Sequence, residues 1–293
     1  MANQIGPWKL GDRLGTGGQG AVFEGTREEG TVAAVKVINV TRPKKRARFV
    51  REIKTHAHLS EENAANIIPV IDHNLEELQD PENGVRGYIA MPRAVCSLDD
   101  RYDLYRHRTE LCLETFLGII NGVRSAHRVG AIHRDLKPAN ILFLDESLRV
   151  PMVSDFGICF LRESSDSVRV TDEGETVGAR FFMAPEQERG DVTEVTPSAD
   201  IYALGKLLHF MITSRHLHRE KLSEAFREEE LESDQRLVLV RDELLARMVI
   251  EEPSGRIQSA EELYTITSEI LRSFRRHRSH WLANLLRGFS HAR

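Results

Sequence analysis

Two short stretches in the middle of the chain decide the fold: residues 133–140 read H-R-D-L-K-P-A-N, and residues 155–157 read D-F-G. The second stretch begins 15 residues after Asn140, the last residue of the first. Such an ordered pattern is very improbable by chance, and its pairing with D-F-G makes coincidence negligible. Both stretches therefore anchor the interpretation of the remaining sequence.

The composition is that of an ordinary globular protein. The chain has 293 residues, a formal net charge of −5, 41% hydrophobic residues and 29% charged residues, which argues against wholesale disorder. This mildly acidic balance gives no support for nucleic-acid binding, which usually needs a basic face. Because no apolar run reaches about 18 residues and the start lacks a signal-peptide core, we expect no membrane span and a cytoplasmic location. The cysteines at 96, 112 and 159 show no spacing typical of zinc sites or disulfide frameworks.

The order of the predicted elements indicates two unequal lobes. The first ninety residues carry short β-type and apolar runs and one basic helical stretch, whereas the remainder is mostly helical in pattern. The runs are 8–14, 21–25, 31–40, 67–71 and 88–91, and the clearest helical stretches are 44–59, 110–127 and 201–212. This order predicts an α+β fold whose two lobes join near residues 91–98.

A glycine-rich stretch, G-T-G-G-Q-G, occupies residues 15–20. Such a run brings backbone N–H groups close to phosphate oxygens, but it is equally compatible with a hairpin that binds nothing. A strand follows it, so it does not fit a Rossmann fingerprint, which opens a helix. Lys36 lies within an apolar strand, either on a solvated face or as a cation facing a cleft. In a cleft it would need a partner, and Glu52 in the helical stretch could supply one.

Taken together, these motifs resemble those of the protein kinase family, and the resemblance covers roughly residues 8–274. They occur in the family's order, which ends with A-P-E at 184–186. The resemblance implies a bilobal fold, with a small N-lobe made of an antiparallel sheet plus one helix and a larger, mainly helical C-lobe. We predict a kinase domain over 8–272, divided into N-lobe 8–91, hinge 92–97 and C-lobe 98–272.

The resemblance also implies roles for residues of the two central motifs. Asp135 would accept the proton of the substrate hydroxyl and orient that nucleophile. A lysine at position 137 is typical of this loop in the serine/threonine kinases of the family. It would neutralise charge on the γ-phosphate of ATP. Asn140 and Asp155 would hold Mg²⁺, a hard cation that prefers oxygen ligands.

A nucleotide site is implied in the same way, with Lys36 clamping the α- and β-phosphates of ATP and Glu52 orienting Lys36. Met91 falls at the gatekeeper position. The connector that follows begins with Pro92, which has no N–H, so the hinge donor to adenine would come from Ala94. The alternative for the apolar members is that they are simple core. The implied nucleotide contacts are Leu14, Gly15, Gly17, Gly20, Val22, Ala34, Lys36, Met91, Ala94 and Leu142.

In the family, the segment from D-F-G to A-P-E, here 155–186, is the activation segment. We prefer Thr171 and Thr176 as phosphorylation sites, since Arg134 would bind a phosphate placed there; an unmodified polar loop is the alternative. Ala179 stands where serine/threonine kinases usually carry threonine. The lost hydrogen bond, worth about 0.5–1.5 kcal/mol, would lower efficiency and hydroxyl-residue selectivity.

Two further residues are expected to act structurally. Asp200, within S-A-D-I-Y-A-L-G, resembles the aspartate that braces the catalytic loop in the family. Arg256 would pair with Glu186 as a buried bridge between distant segments.

The last stretch, 272–293, contains six arginines and no acidic residue. Its apolar residues lie at helical spacing, so we predict a basic amphipathic tail over 273–293. Two alternatives stay open: binding to an anionic membrane surface or acidic partner, or packing on the C-lobe with the arginines in solvent. The acidic run at 223–234 is a candidate intramolecular partner.

We therefore predict an active serine/threonine protein kinase that uses ATP and Mg²⁺ and phosphorylates itself, most similar in style to bacterial enzymes. The alternative is a nucleotide-binding pseudokinase that serves as an interaction scaffold, and only Ala179 supports it. A pseudokinase normally lacks Lys36, Asp135 or Asp155, and this chain has all three. A small-molecule phosphotransferase of the same fold would typically lack L-K-P and A-P-E. ATP is the one partner that we predict from the sequence, and the protein substrates are not identified by it.

Overall fold

The computed structural model describes residues 4–17, 20–40, 43–79, 86–156, 160–161, 181–189 and 195–290. The N-terminal part is an antiparallel sheet whose strands are β1 (Gln4–Ile5), β2 (Trp8–Gly17), β3 (Gly20–Thr26), β4 (Val32–Asn39), β5 (Asp72–His73) and β6 (Arg86–Met91). Their order in the sheet is β1-β2-β3-β4-β6-β5. Helix α1 (Pro43–Glu61) packs on this sheet, and a short helix α2 (Leu75–Gln79) adds to the one helix predicted for this lobe.

Strand β4 is mainly apolar because both faces of its middle part are covered. Its side chains alternate between the two faces of the sheet. Those on one face pack with Trp8 and Tyr88, and they are Ala33, Val35 and Val37. Those on the other face are Ala34, Lys36 and Ile38, of which Lys36 pairs with Glu52 of α1 and Ile38 shares an apolar cluster with Phe49 of α1. The alternation therefore puts Lys36 on the side of the sheet that faces α1.

The Asp72 carboxylate closes the curled sheet on itself. Its Oδ2 accepts hydrogen bonds from Trp8 Nε1 at 2.9 Å and from the Tyr88 hydroxyl at 3.0 Å. The Arg27 guanidinium lies 2.8 Å from the same oxygen and 4.4 Å from the centroid of the Trp8 ring. These groups come from β2, β5, β6 and the turn after β3, so a single carboxylate joins opposite parts of the sheet.

The C-terminal part is mainly helical. Its helices are α3 (Thr109–Arg128), α4 (Pro185–Glu188), α5 (Ser198–Thr213), α6 (Glu228–Ser233), α7 (Arg236–Leu239), α8 (Ala246–Met248) and α9 (Ala260–Ser290). Short 3-10 helices occur at Asp99–Tyr105, Pro138–Asn140, Arg219–Glu224 and Pro253–Gly255, with a π-helical turn at Val240–Leu245. Its short strands are β7 (Cys96–Ser97), β8 (Ala131–Ile132), β9 (Ile141–Phe143), β10 (Pro151–Val153) and β11 (Phe160–Leu161). Every residue of α5 is buried, as its apolar sequence predicts.

Helix α9 runs antiparallel to α3. Near the start of α9, Glu261 pairs with Arg124 at 3.0 Å and Arg128 at 3.1 Å, both late in α3. Farther along α9, Arg275 pairs with Glu110 and Glu114, at the beginning of α3. The helix is continuous across residue 272, where the sequence analysis placed the end of the domain. The domain and tail boundaries stay predictions. In the described part of the chain, no helix has the length and apolar character needed to cross a bilayer.

The apolar run at 67–71 is not a strand. Ile67 forms only an isolated bridge with Val153, and the adjoining strand β5 starts at Asp72. The Ile68 amide donates to the Val153 carbonyl at 3.0 Å, and the Val153 amide donates to the Asn66 carbonyl at 2.8 Å. Ile67 and Ile68 are apolar and buried, and the run is bonded to the C-lobe at Val153 and to the N-lobe at Ala90.

Candidate active site

Lys36 lies between two carboxylates that come from different lobes. Its Nζ is 2.6 Å from Glu52 Oε1 and 3.0 Å from Asp155 Oδ1. Lys36 is only 7% exposed, which excludes the alternative of a solvated strand lysine. A buried ammonium is stable only with such partners. The structure therefore places the predicted partner Glu52 on Lys36 and adds Asp155 to the pair.

The charges of this triad follow from its burial and spacing. Burial would lower the pKa of Lys36, but the carboxylates of Asp155 and Glu52 outweigh it and raise the pKa above its ordinary value. Burial would raise the pKa of Asp155, but the Lys36 ammonium holds that pKa well below its usual range. Burial raises the pKa of Glu52, and Lys36 offsets only part of this effect. Near neutral pH, Lys36 is therefore positive and Asp155 negative.

Helix α1 positions Glu52 through its apolar face. Phe49 and Ile53 are buried in a cluster with residues of β4 and β6. Glu52 and His56 are four residues apart, so they lie on one face of the helix, one turn from each other. Both side chains are buried. The helix thus brings a carboxylate and an imidazole to the boundary between the lobes.

His56 contacts the D-F-G motif directly. Its ring lies 5.4 Å from the Phe156 ring, and on another side Phe156 lies 4.9 Å from the His133 ring. His56 Nε2 is 2.6 Å from the Ile68 carbonyl oxygen, which can only accept, so Nε2 carries the proton. Burial lowers the pKa of His56 to about 4, and the imidazole is neutral at physiological pH.

Residues 135–140 form a compact hydrogen-bonded loop. Lys137 Nζ lies 2.7 Å from Asp135 Oδ2. The Asn140 amide donates to the Asp135 backbone carbonyl at 2.7 Å and to Asp135 Oδ2 at 3.2 Å. Lys137 and Asn140, which the sequence singled out, therefore both contact Asp135.

Asp200 binds the backbone of the residues that lead into that loop. Its two carboxylate oxygens accept the amides of His133 and Arg134, each at 2.8 Å. His127 Nε2 is also 2.8 Å from Oδ2. Arg134 has φ of +67°, a left-handed conformation that is costly for a side chain of this size. The brace expected of Asp200 is therefore confirmed.

The groups that would hold Mg²⁺ fit a hard cation. Both N–H bonds of the Asn140 amide are used in hydrogen bonds to Asp135, which leaves its amide oxygen as a ligand atom. Asp155 supplies a carboxylate that is ionised near neutral pH, and its backbone is left-handed with φ of +60°. Amide and carboxylate oxygens are the ligands that Mg²⁺ takes from proteins.

The glycine-rich hairpin has room on one side and none on the other. Gly15 pairs with Val22, and Gly17 pairs with Gly20. A Cβ atom on Gly20 would lie 2.5 Å from the Val37 carbonyl oxygen, so close packing requires glycine there. Apart from its chain neighbours, a Cβ atom on Gly15 would meet no atom of the described residues within 4 Å. The space beside Gly15 is therefore open to a ligand.

The predicted adenine contacts fall into two groups. Met91 and Leu142 belong to one apolar cluster, and Ala34 lies opposite Met91 across β4 and β6. Val22 pairs with Lys36 on the same sheet. Leu14 and Ala94 lie outside the apolar clusters of the described residues, with Leu14 41% exposed and Ala94 half-buried. The structure thus brings Met91 and Leu142 into one apolar cluster with Ala34 beside Met91, whereas the places of Leu14 and Ala94 in the nucleotide site stay predictions.

Several expectations fall on residues outside the described ones, and they stay predictions. They are Gly157 of D-F-G, the phosphorylation sites Thr171 and Thr176, and Ala179. The expected bridge between Arg256 and Glu186 is confirmed. It is a fully buried pair with two parallel contacts, at 2.7 and 2.8 Å.

Sequence reasoning missed His56. A single histidine outside any recognised motif gives no functional signal, and most such residues have only a structural role. Its spacing from Glu52 was the available signal, since a residue four positions on shares the helix face that meets the cleft.

The family model for the protein kinase domain matches residues 8–286, nearly the whole chain. The chain belongs to the protein kinase family. This kinase domain is similar to proteins named as bacterial serine/threonine-protein kinases.

Three relatives illustrate the similarity. The probable serine/threonine-protein kinase PkwA of Thermomonospora curvata is 31% identical over 72% of this chain and 27% of the relative. The probable serine/threonine-protein kinase PknB of Bifidobacterium longum is 31% identical over 72% of this chain and 30% of the relative. AfsK of Streptomyces griseus is 30% identical over 72% and 24%, respectively. The kinase domain therefore spans less than a third of the length of these relatives.

Proposed function

We propose that this kinase domain transfers the γ-phosphate of Mg-ATP to serine or threonine hydroxyls of proteins, including its own. The observation that carries the proposal is the position of Lys36. It is held by Glu52 from the N-lobe and lies 3.0 Å from Asp155 of the C-lobe. Phosphoryl transfer depends on positioning and charge neutralisation, and this ion-pair network supplies fixed charge at the boundary between the lobes.

Each residue of the site has a role in that reaction. Lys36 binds the α- and β-phosphates, and Glu52 keeps its ammonium in place. Asp135 orients the acceptor hydroxyl and takes its proton. Lys137, 2.7 Å from Asp135, balances negative charge beside the transferred group.

Asn140 and Asp155 would hold Mg²⁺, which neutralises phosphate charge when it is bound. The apolar residues Ala34, Met91 and Leu142 would enclose the adenine, together with Val22. Leu14 and Ala94 complete the predicted nucleotide site, with Gly15, Gly17 and Gly20 beside the phosphates. A cytoplasmic location stays a prediction from the sequence.

Incubation of the purified chain with Mg-ATP, followed by mass spectrometry, tests the proposal. Casein is added as a general acceptor, since some kinases do not modify themselves. The Asp135→Asn variant is the control, because it keeps the shape of the side chain and removes the base. Phosphate on serine or threonine with the parent but not with the variant supports the proposal.

The scaffold alternative gives the opposite result. The parent would bind ATP, measured by a nucleotide-induced rise in melting temperature, but neither the chain nor casein would gain phosphate. Phosphate on mapped threonines would also test Thr171 and Thr176.

A further inference from the structure

An ion pair joins the connector between the lobes (residues 92–95) to strand β3. Arg93 Nη1 donates to Glu24 Oε2. Among the ion pairs of the described residues, this is the one that links the connector to the N-terminal sheet. The Arg93 side chain is 50% exposed and that of Glu24 is 30% exposed, so the pair lies at the surface. None of the roles proposed above uses it.

The connector is fixed to both lobes at its ends. Met91, the residue before it, pairs with Ala34 in the N-terminal sheet. At its other end, the Val95 amide donates to the Phe143 carbonyl of the C-lobe at 2.8 Å. Arg93 lies between these two anchors, so its side chain ties the middle of the connector to a strand of the N-lobe.

Glu24 shares a face of the sheet with residues of the predicted nucleotide site. It lies two residues from Val22, so both side chains stand on one face of β3, about 7 Å apart along the strand. Glu24 pairs with Ala34, and Val22 pairs with Lys36. Residues directly opposite each other in antiparallel strands share a face. The carboxylate therefore lies on the same face as two predicted adenine contacts and the lysine that we propose binds phosphate.

The ion pair spans strand β4 at the level of Ala34. Glu24, Ala34 and Met91 are in register on three neighbouring strands. Since neighbouring strands lie about 4.8 Å apart, the backbones of Glu24 and Met91 are about 10 Å apart. Arg93 follows Met91 by two residues and reaches Glu24 with its long side chain. The pair thus bounds the predicted nucleotide site on the side of the connector.

The position of Arg93 affects both the charge and the backbone of that site. An unpaired carboxylate on this face would repel the phosphates of ATP, and the guanidinium of Arg93 balances it. Arg93 also adjoins Ala94, whose amide is the predicted donor to adenine. Fixing the Arg93 side chain therefore restricts the peptide group that carries this N–H.

We propose that the Arg93–Glu24 ion pair holds β3 and the connector at a fixed separation around the adenine, so that this end of the site is formed before ATP binds. The inference rests on the proposed function and adds two positioning residues to its nucleotide site. A site that already has its binding geometry loses less conformational freedom when the ligand binds, and its affinity is higher. Loss of the pair should weaken nucleotide binding by about 2- to 5-fold, the size expected for one partly exposed ion pair.

Calorimetric titration with Mg-ADP tests the proposal. Arg93→Gln and Glu24→Gln should each raise Kd by about 2- to 5-fold. Arg93→Glu should raise it further, because two carboxylates then face each other. The exchanged pair, Arg93→Glu with Glu24→Arg, should return Kd to within about 2-fold of the parent, since opposite charges face each other again. A residue with a merely structural role would not be rescued by this exchange.

Arg247→Gln is the matched control for the loss of an exposed ion pair. Arg247 is similarly exposed and lies 3.3 Å from Glu262 in the C-lobe, and its variant should bind Mg-ADP as the parent does. A rise in Kd for this control equal to that for Arg93→Gln would overturn the proposal. So would an unchanged Kd in both single glutamine variants, or a loss that the exchanged pair does not restore.

Steady-state kinetics provide a second measurement. Arg93→Gln should raise KM for ATP and leave kcat unchanged, because the pair does not touch the transferred phosphate. The ratio of the KM values of Arg93→Gln and the parent should approach 1 as NaCl rises from about 0.05 to about 1 M, since salt screens exposed charges. A lower kcat with an unchanged KM, or a ratio that salt does not alter, would contradict the proposal.

The binding measurement separates this inference from the proposed function. Binding of Mg-ADP that depends on the ion pair, without any phosphate transfer, would support the inference and contradict the kinase activity. Phosphate transfer with equal Kd values for the parent and Arg93→Gln would support the activity and overturn the inference. A parent chain that binds no nucleotide would overturn both.

Discussion

Asp200 fixes the conformation of Arg134: its Oδ1 accepts the Arg134 amide at 2.8 Å, and Arg134 has a φ of +67°. A left-handed conformation costs about 1–3 kcal/mol at a residue of this kind. Hydrogen bonds from amides to a carboxylate are among the stronger ones in proteins, and Asp200 accepts two of them. The loop that presents Asp135 is thus held in shape by a carboxylate from helix α5.

Replacing this carboxylate should impair both catalysis and folding. In Asp200→Asn one oxygen becomes an NH2 group, which faces donors at His133, Arg134 or His127. We expect kcat to fall by about 10- to 100-fold, since small displacements of catalytic groups have effects of this size. Stability should fall by about 1–3 kcal/mol. Steady-state rates and urea unfolding measure the two effects. The exposed Asp242→Asn variant is the control, and a similar loss there would contradict the explanation.

The Lys36 ion pairs should matter more for activity than for stability. Lys36→Met removes the ammonium that we propose binds phosphate, and we expect phosphoryl transfer to fall by about 100- to 1000-fold. Glu52→Gln keeps a hydrogen-bond acceptor for Lys36 and should lose less, about 10-fold. Transfer rates to casein and the melting temperature of each variant provide the check. Equal rates for Glu52→Gln and the parent would show that the negative charge of Glu52 beside Lys36 is not needed for activity.

His56 should make the kinase domain sensitive to acid. Its pKa is lowered to about 4 in the folded chain, against about 6.5 when unfolded. The unfolded state therefore binds the extra proton first, so this contribution to stability is complete above pH 6.5 and is lost as pH falls toward 4. The loss is about 3 kcal/mol in total. Urea unfolding of the parent and His56→Leu at several pH values measures it. If both chains have the same pH slope, His56 is not the cause.

Changing one partner of the buried Arg256–Glu186 pair should cost more stability than replacing both partners with apolar residues. Removing one partner leaves an uncompensated buried charge, so Glu186→Gln and Arg256→Met should each cost about 3–5 kcal/mol. The double change, Arg256→Met with Glu186→Leu, should cost less than the sum of the single changes, because no charge is left unpaired. Chemical unfolding of the parent, Arg256→Met, a Glu186→Leu single variant and the double variant forms the double-mutant cycle. Additive losses would contradict a coupled pair.

The contiguous motifs made much of the site predictable. Asp135, Lys137 and Asn140 lie within six residues, so their contact follows from one local loop. The pairing of Lys36 with Glu52 also followed from the sequence, because a lysine in an apolar strand needs a counter-charge. His56 could not be identified in this way, since its role depends on the position of Phe156, 100 residues away along the chain.

Other parts of the fold depend on contacts that no local pattern reveals. The run at 67–71 has the composition of a strand, yet its backbone groups bond to β10 and β6 across the lobe boundary. Helix α9 passes the predicted boundary at 272 because Phe274 is buried and Arg275 pairs with α3.

The closure of the N-terminal sheet by Asp72 has a consequence for how this lobe opens. Local fluctuations usually release the edges of a sheet one strand at a time. Here Trp8 and Tyr88 both donate to the same carboxylate, so detachment of β2 at that end also takes a partner from Asp72 and weakens its support of β6. Backbone amides of the two strands should therefore exchange with deuterated solvent at a common rate, as one cooperative unit, and Asp72→Asn should split them into two.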